Sequence, residues 1–333
     1  MSATFEIPQA IPALPAGATR VGAIDCGTNS IRLLIADVDP VAHTLVDHVR
    51  LMEVVRLGQG VDKTGRLASE ALARTLEVTA RYAEICGAYG VSKIRFVATS
   101  ATRDAENRDE FVAGVLAAIG VEPEVVSGAE EAELSFRGAV SALDRSAHQG
   151  PFLVVDLGGG STELVLGTES PVAAFSMNVG CVRMTERHLQ SDPPTAQEIS
   201  SAALDINAAI DEAAKVVPIG RTATLVGLAG SITTVTAHAL KLRQYDRNAI
   251  NGATLTLKQV QESCADLLDR NVAERAALGF MHPGRTDVIG AGALVWSTVV
   301  ARVQAAVAQN GGSLKTTVTS EHDILDGIAI SLA

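Results

Sequence analysis

Aromatic side chains are scarce in this 333-residue chain: seven Phe, three Tyr and one Trp, or 3%. A core must therefore be built from Ala, Val, Leu and Ile, and there are too few rings for the stacking platforms on which single-stranded nucleic acids lie. Positive charge is also in short supply. Against 38 Asp and Glu stand 27 Lys and Arg, a net charge of −11, with no basic run; nucleic acid is an unsuitable partner for such a surface. The four cysteines, Cys26, Cys86, Cys181 and Cys264, form no C-x-x-C pair. Their spacing supports neither a disulfide scaffold nor a zinc site, and the expectation is reduced, buried thiols in a cytoplasmic protein. The seven histidines make no H-x-x-x-H pair or triad arrangement, and His282 and His322 read as surface or structural residues. Neither G-x-x-x-x-G-K-[ST] nor G-x-S-x-G occurs, so P-loop and nucleophile-elbow chemistry are not indicated. The most apolar uncharged run, 288–301, is too short and too glycine-interrupted to span a bilayer. Residues 1–19 carry Pro8, Pro12 and Pro15 but no basic or apolar leader segment, which reads as a loose N-terminal arm.

What is present is ordinary globular material, 47% hydrophobic and 20% charged, with length enough for two domains. One short pattern occurs twice. Asp25-Cys26-Gly27-Thr28-Asn29-Ser30-Ile31-Arg32 is matched 131 positions later by Asp156-Leu157-Gly158-Gly159-Gly160-Ser161-Thr162-Glu163. Asp, Gly and Ser coincide, whereas the last polar position is Arg in one copy and Glu in the other. Apolar strands flank each copy, at 21–24 and 31–38, and at 152–155 and 163–166. A lone D-x-G-x-x-S is only a tight hairpin turn. Repeated in the same strand context, it describes two Gly/Ser/Thr tips able to offer backbone N–H groups to phosphate oxygens, and two similar domains holding one phosphorylated ligand. An acidic protein with such a ligand must concentrate its positive charge locally, and Arg32, Arg56, Arg103 and Arg285 are the candidates.

Strands are expected at 20–24, 31–38, 45–57, 93–99 and 124–127. Helices are expected at 68–87, where Leu72, Leu76, Thr79 and Ala83 share a face, at 108–119, and from Gly128 onward. Glu130, Glu131 and Glu133 lie in the first turn of that last helix, where carboxylates complement the helix dipole. From Gly150 the order restarts with a strand, a hairpin tip, a strand and another strand at 172–177. Helices follow at 195–217, 232–242, 257–269 and 287–309, with strands at 224–228 and 316–319 and a closing helix at 322–332. Strands then alternating helices, twice over, indicate two α/β domains of mixed sheet. The boundaries read as 20–135 and 136–321, with 322–333 returning to the first domain.

These motifs, with Arg56-Leu-Gly-Gln-Gly-Val-Asp-Lys-Thr-Gly-Arg66, Thr99-Ser-Ala-Thr-Arg-Asp-Ala-Glu-Asn107, Ser127-Gly-Ala-Glu-Glu-Ala132, Gly230-Ser231 and Arg285-Thr-Asp-Val-Ile-Gly-Ala-Gly292, follow in the order seen in one family. The chain resembles the exopolyphosphatase and guanosine pentaphosphate phosphatase (Ppx/GppA) family from residue 20 to its end, in a short two-domain form. The resemblance implies the actin-like fold of the sugar kinase and Hsp70 superfamily and Mg²⁺-assisted hydrolysis of phosphoanhydride bonds. Mn²⁺ is an alternative metal, and a monovalent cation an accessory. Glu131 matches the catalytic glutamate. Asp156 and Glu163 match acidic positions linked with Mg²⁺, and Asp25 is a subsidiary candidate acting through water. Phosphate contacts fall to Asn29, Ser30, the backbone of Gly158, Gly159, Gly160, Ser161 and Thr162, and the Gly230-Ser231 loop. Arg103 is expected on a loop past the 93–99 strand, where its guanidinium can clamp phosphate oxygens. Arg32 either does the same or pairs with an acid of its own domain.

The resulting expectation is a soluble cytoplasmic exopolyphosphatase, homodimeric as the resemblance implies, that binds neither nucleic acid nor membrane. Guanosine pentaphosphate is the alternative substrate. A kinase of the same superfamily and a non-catalytic sensor of polyphosphate or alarmone are the remaining alternatives. The catalytic carboxylate argues against the last.

Overall fold

Residues 11–333 are described by a computed structural model of the chain; residues 1–10, and with them the first half of the expected N-terminal arm, lie outside it. The Val-, Ile- and Leu-rich segments pair into two sheets. In the first, β1 (Thr19–Cys26) and β2 (Ser30–Asp39) form a hairpin and β3 (Thr44–Val54) pairs antiparallel with β2. On the other side of β1 lie β4 (Lys93–Ala98) and the two-residue β5 (Glu124–Val125), both parallel, giving the order β3-β2-β1-β4-β5. The helix Ser69–Ala88 crosses from β3 to β4, and Arg108–Ile119 from β4 to β5. β1 is buried along nearly its whole length, as the inner strand of a parallel crossover must be.

The second sheet repeats the plan. β6 (Phe152–Leu157), β7 (Thr162–Gly167) and β8 (Pro171–Met177) form the antiparallel meander, and β9 (Thr224–Leu228) joins β6 in parallel. β10 (Thr254–Thr256) and β11 (Thr316–Thr319) complete the order β10-β11-β9-β6-β7-β8. The segment 191–194, Ser-Asp-Pro-Pro, leads into a helix, Ala196–Val216, held by a capping box of Thr195 and Glu198, which satisfies two otherwise orphan amides. The helix Ile289–Gln309 is long and apolar enough to cross a membrane by length and composition. Val295, Trp296, Val299 and Val303 on it are instead buried in the core of this unit.

The chain divides into two units: residues through Ser127 with Ile324–Ala333, and Gly128–Asp323. The sequence boundary at 135/136 cuts the helix Gly128–Ser141 in two. The structure assigns that whole helix to the second unit, because Ala132, Phe136, Ala139 and Val140 pack with Phe152, Val154 and Val165 of its sheet. Short helices at Val61–Thr64, Ser100–Asp104 and Cys181–His188 lie where the sequence predicted no helix. One or two turns contain too few residues to show a 3.6-residue period.

The closing helix, Ile324–Ile330, packs on β1 and β2 of the first unit. Arg50 of β3 fixes it, with Nη2 at 2.6 Å and Nη1 at 3.1 Å from the Asp326 carboxylate; Asp326 is 1% exposed. Replacing Asp326 with Ala is expected to destabilise this unit by about 2 kcal/mol, less than the loss of a fully buried pair because Arg50 keeps solvent contact and its Asp47 partner. Chemical denaturation of the Asp326→Ala chain checks this; an unchanged midpoint would show the pair to be dispensable.

Candidate functional site: two glycine-tipped hairpins and a buried acid cluster

The repeated motif forms the same turn in both units. Gly27 N–H donates to Ser30 O at 2.9 Å, and Gly158 N–H to Ser161 O at 3.0 Å. Beneath each turn the motif's first acid pairs across the hairpin with its last polar residue: Asp25 opposite Arg32 on β1 and β2, Asp156 opposite Glu163 on β6 and β7. The outcome differs because the last residue differs. In the first unit Arg32 places Nη2 at 2.6 Å and Nε at 2.9 Å from Asp25 Oδ2. Of the two roles open to Arg32, pairing within its own domain is thus the one observed, and the Asp25 oxygen considered for a metal carries two guanidinium bonds.

In the second unit the same register brings two carboxylates together. Glu163 is 1% and Asp156 7% exposed. Ser176 Oγ donates to Glu163 Oε1 at 2.7 Å, Ser161 adds a second hydroxyl, and Ser135 Oγ donates to Asp156 Oδ2. Ser135 lies one helical turn beyond Glu131, on the same face of Gly128–Ser141, so that face brings Glu131 to the acid pair. Glu131 is 7% exposed, whereas Glu130 beside it faces solvent. Burial, followed by the charges of Glu131 and Asp156, holds the Glu163 carboxyl well above the usual carboxylate range; the two serine hydroxyls offset only part of this. Gly128 has no room for a side chain, since a Cβ there would lie 2.6 Å from Ser176 Cβ. This close approach sets the helix start beside β8.

Hard, anionic oxygens so arranged suit a small divalent cation. Among the described residues no three His, Cys, Asp or Glu side chains converge into a ready-made cage. A Mg²⁺ site needs only one or two protein carboxylates when water and phosphate oxygens supply the rest.

The tip is held from behind. Its third strand leads to Gly180, and the helix Cys181–His188 then turns its first amides onto the tip: Cys181 N–H to Gly158 O at 3.0 Å, Val182 N–H to Gly159 O at 2.9 Å. A trans peptide opposes its N–H to its C=O, so the amides of Gly159 and Gly160 face away from that helix. Thr162, grouped with the phosphate contacts from sequence, belongs to β7, and its hydroxyl donates to Val179 O at 2.6 Å.

At the other loop, β9 passes into the helix Ala229–Ala239 through Ala229 at φ 66°, a left-handed conformation uncommon for a residue with a Cβ. Gly230 has no room for a side chain, because the Arg285 guanidinium occupies that space; a Cβ there would lie 2.3 Å from Arg285 Cζ. Ser231 is buried against Cys181 and Gly292. Arg285 was visible in sequence as one of four candidate cations and at the head of the motif 285–292, whereas Ser135 and Ser176 carried no signal at all.

In the first unit, Thr28 Oγ1 and Ser100 Oγ are 2.9 Å apart, and Asn29 O accepts from Val55 N–H and Arg56 N–H. Asn29 and Ser30 are half-buried at the tip. Arg103 is not on a loop: it lies in the short helix Ser100–Asp104, with Nη1 donating to Val126 O at 3.0 Å. The helix follows β4 so closely that its residues read as a continuation of the turn.

Comparison with known proteins agrees with this architecture. Residues 34–316 match the Ppx/GppA phosphatase family. The chain is 51% identical over 322 residues to "Exopolyphosphatase 2" of Mycobacterium tuberculosis (strain CDC 1551 / Oshkosh), covering 95% of this chain and 99% of that one. Among solved structures, an exopolyphosphatase-like protein superposes with a TM-score of 0.92 at 47% identity, covering 95% of this chain and 98% of that chain. The Aquifex aeolicus PPX-GPPA enzyme does so at 0.77 and 27%, covering 94% and 99%. The repeated strand order, the two matched tips and these similarities lead to one conclusion: the chain belongs to the Ppx/GppA phosphatase family and has its actin-like α/β fold.

Proposed function

We propose that the chain is an exopolyphosphatase, releasing terminal orthophosphate from inorganic polyphosphate. The observation that carries this reading is the buried grouping of Glu131, Asp156 and Glu163 beside a tip whose amides are turned outward. Its near-full-length similarity to a protein named as an exopolyphosphatase supports it. The amides of Gly159, Gly160 and Ser161 hold oxygens of the terminal phosphoryl group. Glu131 orients a water and accepts its proton. The water oxygen bonds to the terminal phosphorus as the bond from phosphorus to the bridging oxygen breaks, and that oxygen keeps the electron pair. Mg²⁺ held by Asp156 and Glu163 would neutralise the charge that builds on the phosphoryl oxygens. Donors fixed before reaction cost little reorganisation, which is why such electrostatic terms dominate phosphoryl transfer.

Within the first unit, the same reading makes the tip at Asn29 and Ser30 and the Arg103 guanidinium phosphate-binding groups. Arg103→Ala is expected to lower kcat/KM by ~10²-fold, through loss of a charge-assisted contact and of transition-state stabilisation. Near-parent turnover in that variant would remove Arg103 from the site.

The same reading includes a homodimer in the cytoplasm and no nucleic-acid or membrane partner. The net charge of −11 favours the absence of a nucleic-acid partner and the four buried, unpaired cysteines favour the cytoplasm; the homodimer rests on the family resemblance. Phosphate release from polyphosphate of graded length, beside guanosine pentaphosphate and with Mg²⁺ or Mn²⁺, tests the proposal. Release from polyphosphate is expected; release from the pentaphosphate alone would reassign the substrate, and release from neither would reject the hydrolase.

A further inference from the structure

The two tips are anchored by different chemistry at one equivalent position. In the first unit, Thr28 O accepts from Gly58 N–H at 2.9 Å, and Asn29 O accepts from Val55 N–H at 3.1 Å and Arg56 N–H at 2.9 Å. Every one of these donors is main chain. In the second unit, Gly159 O corresponds to Thr28 O and also accepts main-chain amides, from Val182 at 2.9 Å and Arg183 at 3.1 Å. Gly160 O corresponds to Asn29 O, and there a side chain takes over: Arg183 Nε donates to it at 2.7 Å.

The peptide that joins Gly160 to Ser161 is flanked by glycine and so has little steric preference of its own. If its carbonyl is held toward Arg183, its N–H, which belongs to Ser161, must point the opposite way. With the carbonyls of Gly158 and Gly159 already tied to the helix Cys181–His188, three successive amides then face one side, the concave arrangement that binds anions. Gly180 makes the approach possible. A Cβ there would lie 2.4 Å from Gly159 O and 2.7 Å from Gly160 N, much as one at Gly58 would lie 2.4 Å from Thr28 Cγ2.

We infer that Arg183 is a positioning residue of the phosphate tip: its guanidinium fixes the Gly160–Ser161 peptide so that the Ser161 amide points to the bound phosphoryl group. It acts through the loop and does not touch substrate. The inference rests on the proposed phosphate-binding role of this tip but not on hydrolysis itself.

The test pairs Arg183→Ala with Arg183→Lys, each measured for orthophosphate binding by calorimetry, for kcat and KM on polyphosphate, and for melting temperature. Loss of an outer-shell positioning contact is expected to weaken orthophosphate binding and lower kcat/KM by about 10–100-fold. The fall should appear in kcat as well as in KM, since the misdirected amide serves the transition state too. Lysine, which restores one donor, should recover part of the loss, and added methylguanidinium should do so in the Ala variant, with melting temperatures close to the parent in both. Parent-like orthophosphate affinity in Arg183→Ala would overturn the inference. So would a loss that follows melting temperature and responds to neither lysine nor methylguanidinium. If the parent hydrolyses nothing yet binds orthophosphate, the exopolyphosphatase reading fails while the binding comparison still decides the role of Arg183. If the parent does not bind orthophosphate, both fail.

Discussion

Glu131→Gln is expected to reduce phosphate release about 10²–10⁴-fold, the usual contribution of a well-placed general base, while orthophosphate binding and melting temperature stay near the parent. The amide preserves the shape of the side chain and can still accept a hydrogen bond from water, but cannot take up its proton. Glu131 is well suited to such a narrow substitution. It is buried on the face of Gly128–Ser141 that carries Ser135, and the tip donors come from other elements. Single-turnover release of orthophosphate, with binding followed separately, separates the two effects. Near-parent turnover would move the base elsewhere. Joint loss of binding, turnover and melting temperature would point to a damaged fold.

The second large effect lies at Glu163, where activity and stability should move in opposite directions. Glu163→Gln is expected to lower turnover by ~10²-fold or more, because the carboxylate proposed to hold the cation becomes neutral and several kcal/mol of charge stabilisation is at stake. The metal-free variant should nonetheless melt higher than the metal-free parent. Burial and the charges of Glu131 and Asp156 raise the folded-state pKa of Glu163. Over the interval between its ordinary and its folded value, the folded chain therefore binds more protons than the unfolded chain, and stability falls as pH rises. Glutamine abolishes that slope. The melting advantage of the variant should thus be larger at about pH 8 than at about pH 5, where the unfolded carboxyl begins to protonate as well. Adding Mg²⁺ should reverse the ranking, since a ligand bound only by the folded parent stabilises it by mass action. Equal melting of the two metal-free proteins at both pH values would mean that the acids do not repel as the geometry requires.

The same contrast shows how far the sequence could be read. The two D-x-G-x-x-S copies were legible because a hairpin tip is a local structure whose glycine and serine sit at fixed offsets. The turn bonds at Gly27 and Gly158 are its direct consequence. The alternation of strands and helices was legible for a similar reason, since apolar runs of strand length and helical periods are both read along the chain. Arg32 was different. Sequence allowed it either phosphate or an acid of its own domain, and only the β1–β2 register shows that it sits opposite Asp25. Arg103 was placed on a loop because a helix of five residues shows no period. The boundary at 135/136 missed because the amphipathic pattern of Gly128–Ser141 says that it packs, but not on which sheet.

By itself, the sequence determined the duplication, the α/β alternation, the acid at each tip and the change from Arg32 to Glu163 that makes one hairpin neutral and the other acidic. All of these are read along the chain at short range. Only the tertiary structure decided that Ser135 and Ser176 hold Asp156 and Glu163, that Arg285 fills the space left by Gly230, and that Arg183 reaches Gly160 O. Those contacts join separate elements through the packing of whole faces, and side-chain direction across a packed interface is set by the neighbours rather than by local sequence.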